Sequence, residues 1–254
     1  MRKLIRYFII GSLIAAISFS GYQLSKISGQ YLKEEQVKDE MVKYQPAAVL
    51  TAPAAFAEAD KSGDTMTIEK NMEKIVNQEI FDLQNEINSD IVGWLEILNT
   101  RISYPFVLTE DNSFYLRRDL HKKKATAGTL FMDYRCAKDF TSPNNIIYGH
   151  NMKNGSMFGD LKLFAESGFF KSNAFGSIFL NNKTYALKIF AYMVINEDDE
   201  IIYKTQAKQE EIVEYARKNA RVFLEPEKFD RIVTLSTCSY EYSGARMVLL
   251  ASLM

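Results

Sequence analysis

Short apolar runs separated by turn-forming residues fill the chain from Trp94 onward, and they constrain its fold more than any other feature. They are rich in β-branched and aromatic residues, which are typical of strands. The runs are WLEIL, ISYPFVL, GTLFMDY, NIIYGH, GSIFL, YALKIFAYMVI, RIVTLSTC and RMVLLASL. Many short strands at this spacing favour a closed barrel or a sandwich. We therefore predict a mainly β fold with α additions.

One helix is predicted to interrupt the late strands, in the segment KQEEIVEYARKNARVF. Glu214 lies four residues before Lys218, a spacing that supports a helix through an ion pair, and Pro226 follows the segment. The apolar residues that share one helical face are Ile212, Tyr215, Ala216, Ala220 and Phe223.

A second amphipathic helix is predicted before the first strand, and we expect it to pack on the domain. Its apolar positions recur at steps of three and four residues. They are Ile68, Met72, Ile75, Val76, Ile80, Leu83 and Ile87.

The N-terminal region contains a stretch without charge, residues 7–25, that is long enough to cross a bilayer as a helix. Arg2, Lys3 and Arg6 precede it, so the positive-inside rule predicts a cytoplasmic N-terminus and an external remainder. The alternative is a cleaved signal peptide, although residues 18–21 lack an A-x-A site and the stretch is long for such a peptide. We expect residues 1–25 to form a cytoplasmic stub and a transmembrane signal anchor.

The next residues have the composition of a connection rather than of a core. Residues 26–43 are strongly charged, and residues 44–64 are rich in Ala with two Pro and one Gly. We expect residues 26–65 to be a membrane-proximal stalk and linker, and residues 66–254 to form the catalytic domain with its N-terminal helix.

Charge and motif content exclude several classes of partner. The net charge is −1, from 31 basic and 32 acidic residues, which argues against nucleic-acid binding. Neither a phosphate-binding glycine motif nor a Cys or His cluster with metal spacing occurs, so we expect no cofactor and no metal. The acidic segment NEDDE (residues 196–200) lacks the ligand spacing of a known calcium loop, and we interpret it as a solvated loop.

Three side chains at strand ends suggest acyl-transfer chemistry. Cys238 closes the run IVTLSTC, Arg246 opens the next run, and the polar turn SYEYSGA between them predicts a hairpin. The hairpin would place a thiol near a guanidinium. His150 follows a short strand and Gly149, so an imidazole also lies at a strand end.

Each of these residues has a simpler interpretation as well. A free cysteine is usually a small buried hydrophobe. Cys136 is a rival nucleophile because Arg135 beside it could lower the pKa of its thiol. His121, in LRRDLHKKK, is interpreted as part of a solvated basic loop.

Arg246 has its own simple interpretation, as a surface arginine paired with Glu241. Strand alternation nevertheless places Cys238 on the face of Thr234 and Ser236, which becomes polar toward the strand end. An inert core thiol is unusual on such a face.

The sequence around these residues resembles the class B sortases, the cysteine transpeptidases of the Gram-positive cell surface. The resemblance covers roughly residues 87–253 and rests on TLSTC with Arg246 eight residues later, and on IIYGHNM, NGSMFGDL, INSDIVGWLEI, ISYPFVLTEDNSFYL and AGTLFMDYR. It implies a closed eight-stranded β-barrel with an N-terminal helix and a helix inserted between late strands. It also implies that Cys238 is the nucleophile, His150 the acid and base, and Arg246 the oxyanion donor.

The resemblance also implies positions that line the substrate groove, each of which could equally be a turn or core residue. They are Asn112, Leu116, Tyr148, Ser236 and Thr237, with Ile202 and Tyr203 as weaker candidates. Ser239 departs from the pattern, because some members carry Glu there.

The implied function is transpeptidation outside the cell by a single-pass membrane protein. Cys238 would cleave a C-terminal sorting motif after Thr through a thioester, and an amine would accept the acyl group. The partners would be surface proteins or pilins, with a peptidoglycan precursor or a pilin Lys as acceptor; we favour the wall precursor. A cysteine hydrolase and a non-catalytic peptide-binding barrel are alternatives from other classes. No group that orients His150 is identified.

Overall fold

The structure is a computed structural model, and it describes residues 2–46 and 77–254. The chain divides into two compact units, Met1–Glu40 and Met41–Met254. Helix α1 (Arg2–Val42) covers the predicted anchor and the first part of the predicted stalk. Of the helices in the described ranges, α1 alone is long and apolar enough to cross a membrane, a test that a signal sequence also passes. Residues 47–65 of the predicted stalk and the predicted helical positions from Ile68 to Val76 lie outside the described residues.

Nine strands form one mixed sheet. They are β1 (Ile91–Ile97), β2 (Ser103–Val107), β3 (Leu130–Met132), β4 (Asn144–Tyr148), β5 (Phe175–Leu180), β6 (Lys183–Asn196), β7 (Val222–Phe223), β8 (Ile232–Cys238) and β9 (Ala245–Leu253). The order β5-β1-β2-β3-β4-β8-β9-β6 is closed by pairing of β5 with β6, which makes an eight-stranded barrel. The short strand β7 pairs with β6 outside this ring. The predicted barrel is therefore confirmed.

The two helices predicted in the catalytic domain, α2 (Gln78–Glu86) and α4 (Gln209–Asn219), are present, together with three short helices that were not predicted. The short helices are α3 (Ser167–Ser172) and the 3₁₀ helices Phe114–Arg117 and Gly159–Ala165. Helix α2 buries Ile80 and Leu83, two of its predicted apolar positions. Helix α4 lies between β6 and β7, and its predicted pair of Glu214 with Lys218 is present at 3.0 Å.

Helix α4 is shorter than its apolar pattern suggested, since Ala220 and Phe223 lie beyond its end. The backbone NH of Arg221 donates to the Tyr192 carbonyl at 2.9 Å, and that of Leu224 donates to Phe190 at 2.8 Å. These bonds pair the segment with the part of β6 that extends past β5. An available strand edge therefore overrides the helical pattern.

Alternate residues of the strands fill the barrel interior, which includes Leu95, Phe106, Leu235 and Leu249. The opposite faces of the strands carry two further apolar clusters. One lies under α2 and includes Trp94, Phe131 and Phe179, and the other lies under α4 and includes Ile202, Ile232 and Val248. Tyr148 packs at the margin of the first and Tyr203 at the margin of the second. We call the surface between them, lined by Leu116, Tyr148, Tyr203 and Cys238, the seam.

Candidate active site

The register of the sheet brings Cys238 and Arg246 together as the sequence predicted. They are paired residues at the ends of β8 and β9. Opposite residues of an antiparallel pair project to the same face. Both side chains therefore lie on the outer face of the barrel, which Ser236 shares. Cys238 is partly exposed, and the Arg246 side chain retains 27% of its exposure.

His150 lies beside this pair because β4 runs parallel to β8. Tyr148 pairs with Ser236, and the NH of Gly149 donates to the Ser236 carbonyl at 3.2 Å. His150 lies two residues after Tyr148, and Cys238 lies two residues after Ser236. Because the two strands are parallel, His150 and Cys238 lie next to each other. Asn151 confirms the proximity, since its side-chain amide donates to the Cys238 carbonyl at 2.9 Å. An imidazole, a thiol and a guanidinium thus occupy the ends of three neighbouring strands.

The backbone carbonyl of Leu116 orients the His150 ring, a role that the sequence did not assign to any group. The distance from His150 Nε2 to this oxygen is 2.7 Å. A carbonyl oxygen only accepts hydrogen bonds, so Nε2 carries the proton and Nδ1 is the nitrogen that can exchange one. Gly128 fits closely behind this carbonyl at φ +60°, where a Cβ atom would approach the Leu116 oxygen to 2.6 Å.

Arg246 forms an ion pair with Glu197 rather than with Glu241. Glu197 directly follows β6, the strand that pairs with β9, and its NH donates to the Gly244 carbonyl at 2.8 Å. Glu241 instead binds Arg221. The sheet register thus places a carboxylate that is distant in sequence beside Arg246, and this corrects the simple interpretation of that arginine.

Cys136 does not have the environment of a nucleophile. It is only 6% exposed, and burial raises the pKa of its thiol to about 11. Its sulfur lies 3.5 Å from the Ile146 nitrogen and from the Asn144 carbonyl oxygen. Arg135, which made Cys136 a rival nucleophile in the sequence, forms an ion pair with Asp133. Both cysteines are free.

Several of the predicted groove residues meet at the seam. The rings of Tyr148 and Tyr203 stack with centroids 6.3 Å apart, and the Tyr203 hydroxyl is 2.8 Å from Ser236 Oγ. The Leu116 side chain is 39% exposed. Asn112 lies nearby, where its amide donates to Asp133 at 3.0 Å.

The structure does not bring Thr237 and Ile202 to the seam. Thr237 lies one residue from Cys238, so strand alternation turns its side chain toward the barrel interior, where it is 3% exposed. Ile202 is fully buried in the cluster under α4. Their side chains therefore pack in the protein, which corrects the expectation that they line the groove.

Two buried polar residues that the sequence did not single out hold the seam together. Asp133 is fully buried and binds Arg135. Asn144 donates to the Ile202 carbonyl at 2.8 Å and accepts from Thr234 Oγ1 at 2.7 Å, so it ties the segment before α4 to the barrel. The sequence does contain a sign of both residues, because each is a polar residue inside or just after an apolar run. Asn144 lies in NNIIY, and Asp133 lies in LFMDYR.

Residues 2–46 and 77–254 contain no group of three or more His, Cys, Asp and Glu side chains that could hold a metal ion. Separately, the ends of β4, β8 and β9 bring together an imidazole, a thiol and a guanidinium. These groups suffice for covalent acyl transfer.

Comparison with individual known proteins identifies the family, although no protein-family model matches the sequence. The chain is 37% identical to sortase B of Listeria monocytogenes over 205 residues, which covers 78% of this chain and 82% of that protein. It is 32% identical to sortase B of Staphylococcus aureus over 200 residues, covering 74% and 80% of the two chains.

Solved structures agree with these relatives. The X-ray structure of Clostridium perfringens sortase B superposes with a TM-score of 0.63 at 29% identity, covering 68% of this chain and 98% of that one. A Streptococcus pyogenes class B sortase involved in pilus biogenesis gives a TM-score of 0.63 at 27% identity, and the match covers 68% of this chain and 97% of that one. The chain belongs to the class B sortases, a family of cysteine transpeptidases.

Proposed function

We propose that this sortase works outside the cell, where it cleaves a C-terminal sorting motif after Thr and joins the surface protein to an amine of a peptidoglycan precursor. The observation that carries the proposal is the juxtaposition of His150, Cys238 and Arg246 at the ends of β4, β8 and β9. This is the minimum set for covalent acyl transfer, which needs a nucleophile, a proton carrier and an oxyanion donor.

In the first step Cys238 gives its proton to His150 and attacks the carbonyl carbon of the Thr residue. Arg246 donates hydrogen bonds to the oxygen that becomes negative. The C–N bond then breaks, and His150 returns the proton to the leaving amine. The products are a thioester on Cys238 and the released C-terminal fragment.

In the second step an incoming amine attacks the thioester carbon while His150 removes its proton. The C–S bond breaks, a new amide forms, and Cys238 recovers its proton from His150. The Leu116 carbonyl supports this proton transfer because it fixes the imidazole ring with Nδ1 as the exchanging nitrogen.

The seam is the proposed binding surface for the sorting motif. Leu116, Tyr148 and Tyr203 offer an apolar and aromatic surface that leads toward Cys238. An extended peptide along it would bring one carbonyl to the thiol. Helix α1, with Arg2, Lys3 and Arg6 before its apolar part, supports a single-pass anchor with a cytoplasmic N-terminus.

The test uses the full chain in detergent micelles and a library of internally quenched peptides. Thr is fixed at the cleaved position and the preceding four positions are randomised; the best substrate is called the selected peptide below. We expect cleavage that an added wall-type stem peptide with a free amine accelerates, with the ligated product identified by mass spectrometry. Cys238→Ala should abolish cleavage, and the matched variant Cys136→Ala should retain it.

Other outcomes would support other functions. Cleavage that no amine accelerates would indicate a cysteine hydrolase. Binding of peptides without any cleavage would indicate a non-catalytic barrel. Loss of activity in Cys136→Ala with full activity in Cys238→Ala would contradict the site assignment.

Pilin polymerisation is the second candidate, because one similar structure is that of a sortase involved in pilus biogenesis. The acceptor would then be a Lys side chain of a pilin. Competition between a Lys-containing pilin peptide and the stem peptide separates the two. The candidate predicts that the mass-identified product carries the Lys peptide even when the stem peptide is in excess.

A further inference from the structure

Asp133, which directly follows β3, is a fully buried carboxylate that accepts hydrogen bonds from three side chains. It accepts from Arg135 Nε at 2.8 Å and Nη2 at 2.8 Å, from Asn112 Nδ2 at 3.0 Å and from the Tyr148 hydroxyl at 3.1 Å. Burial opposes its ionisation, but the hydrogen bonds from Arg135 and Asn112 and the positive charge of Arg135 together outweigh this, and they hold the pKa of Asp133 below its usual range.

The donors come from parts of the chain that border the seam on different sides. Asn112 precedes the 3₁₀ helix that carries Leu116. Tyr148 ends β4. Arg135 also donates to the Tyr203 carbonyl at 3.1 Å, so the segment before α4 is joined to the same carboxylate.

The Asp133 cluster, defined as Asp133 with Asn112, Arg135, Tyr148 and Tyr203, therefore joins three of the residues that the family resemblance assigns to substrate binding. These three residues are distant in sequence, and the fold of the barrel brings them together. A buried polar network of this kind is a weak source of stability, but it can specify one arrangement of the groups that it joins.

We propose that Asp133 is a positioning residue that aligns Asn112, Tyr148 and Tyr203 to receive the acyl-donor peptide and thereby sets the affinity for that peptide. The inference rests on the proposed function. Within the described residues, the hydrogen bonds of Asp133 reach none of His150, Cys238 and Arg246. Loss of its charge should therefore impair peptide binding and leave the reactivity of the thiol intact.

The test compares Asp133→Asn and Arg135→Lys with the wild-type full chain in micelles, using the selected peptide. Small displacements of positioning groups can be costly, so we expect KM to rise about tenfold or more in each variant. The kcat should stay within about threefold of wild type, the pattern of lost ground-state binding. The rate at which iodoacetamide alkylates Cys238 should not change. Arg135→Lys keeps the positive charge, but it cannot reach both Asp133 and the Tyr203 carbonyl in the same way.

Two controls separate positioning from stability. Asp160→Asn breaks a matched pair, since Asp160 is 3% exposed and lies 2.7 Å from Arg101. We expect this variant to lose thermal stability and to keep the wild-type KM. Tyr148→Phe removes only the hydroxyl that binds Asp133, and we expect a smaller rise in KM without a loss of stability.

The outcomes are decisive in either direction. If wild type cleaves no peptide, the proposed function fails, and this inference fails with it. If wild type cleaves but Asp133→Asn and Arg135→Lys keep KM within about twofold, only this inference is overturned. A fall in kcat and in alkylation rate equal to the change in KM would also overturn it, because it would show a general structural defect. If Asp133→Asn does not fold, Arg135→Lys and Tyr148→Phe decide by the same criteria.

Discussion

The proposed oxyanion role of Arg246 depends on the residues that surround it. Arg246 is paired with Cys238 across the hairpin and held from the other side by Glu197. This arrangement fixes a planar fork of donors next to the thiol, where the oxyanion would form. A lysine has a single flexible ammonium group and cannot reproduce that fork.

We expect Arg246→Lys to lower kcat by about 100-fold or more, the usual cost of losing an oxyanion donor. Peptide cleavage by the full chain under saturating conditions measures this. Arg221→Lys is the control, because Arg221 pairs with Glu241 at an exposed position where such pairs contribute about 0 to 1 kcal/mol. Equal activity of Arg246→Lys and wild type would exclude the oxyanion role.

The two cysteines should differ in reactivity because their surroundings differ. Burial raises the pKa of Cys136 to about 11, whereas Cys238 is partly exposed. Brief iodoacetamide treatment at pH 8 should therefore label Cys238 and spare Cys136 in the folded protein. Peptide mapping by mass spectrometry measures the sites, and the urea-unfolded chain, in which both should react, is the control. Equal labelling of both sites in the folded chain would show that the burial argument is wrong.

Residue-level prediction from the sequence succeeded where the signal was local. Alternation along IVTLSTC placed Cys238 with Ser236 on one face, and the structure agrees. The same alternation excludes Thr237 from that face, so this residue could have been rejected from the sequence alone. The Leu116 carbonyl could not have been found, because a backbone atom leaves no trace in residue type and its contact with His150 spans distant segments.

Strand β1 contains a carboxyl group in an unfavourable environment. Glu96 Oε2 is buried and has no hydrogen-bond partner within the described residues; the Ser177 hydroxyl on the paired strand β5 is equally unpartnered. Burial raises the pKa of Glu96 to about 7. The folded protein thus binds this proton more tightly than the unfolded chain does, and stability falls as pH rises from about 4.5 to about 7.

We expect Glu96→Gln to stabilise the protein at pH 8 by an amount on the order of 1 to 2 kcal/mol, after allowance for solvent screening. At pH 4 the gain should vanish, because both the folded and the unfolded chain then carry a protonated Glu96. Urea unfolding followed by circular dichroism at the two pH values measures the difference. The same gain at both pH values would contradict the assigned pKa.

Helices and strands could be predicted where the apolar pattern that defines them lies within a few consecutive residues. All eight barrel strands correspond to apolar runs in the sequence, and the hairpin of β8 and β9 follows from its turn. The end of α4 was misplaced because β6 offers a free edge to residues 221–224, which periodicity cannot reveal. The Asp133 cluster was missed for a related reason, since its members come from four separate segments.

The mixed topology of the barrel brings the three candidate catalytic residues together. The parallel pairing of β4 with β8 and the antiparallel pairing of β8 with β9 are both needed to align His150, Cys238 and Arg246. The first pairing joins strands that are separated by β5, β6 and β7 in sequence. Such long-range pairing cannot be deduced from local patterns, and here it was supplied by the family resemblance.

In the proposed mechanism Cys238 carries the acyl group between the two steps. The most direct measurement is to mix the full chain with the selected peptide without an amine acceptor, quench in acid, and determine the intact mass and the modified residue. We expect an acyl adduct on Cys238 that hydroxylamine removes. An adduct on Cys136, or peptide cleavage that proceeds without any adduct on Cys238, would contradict this mechanism.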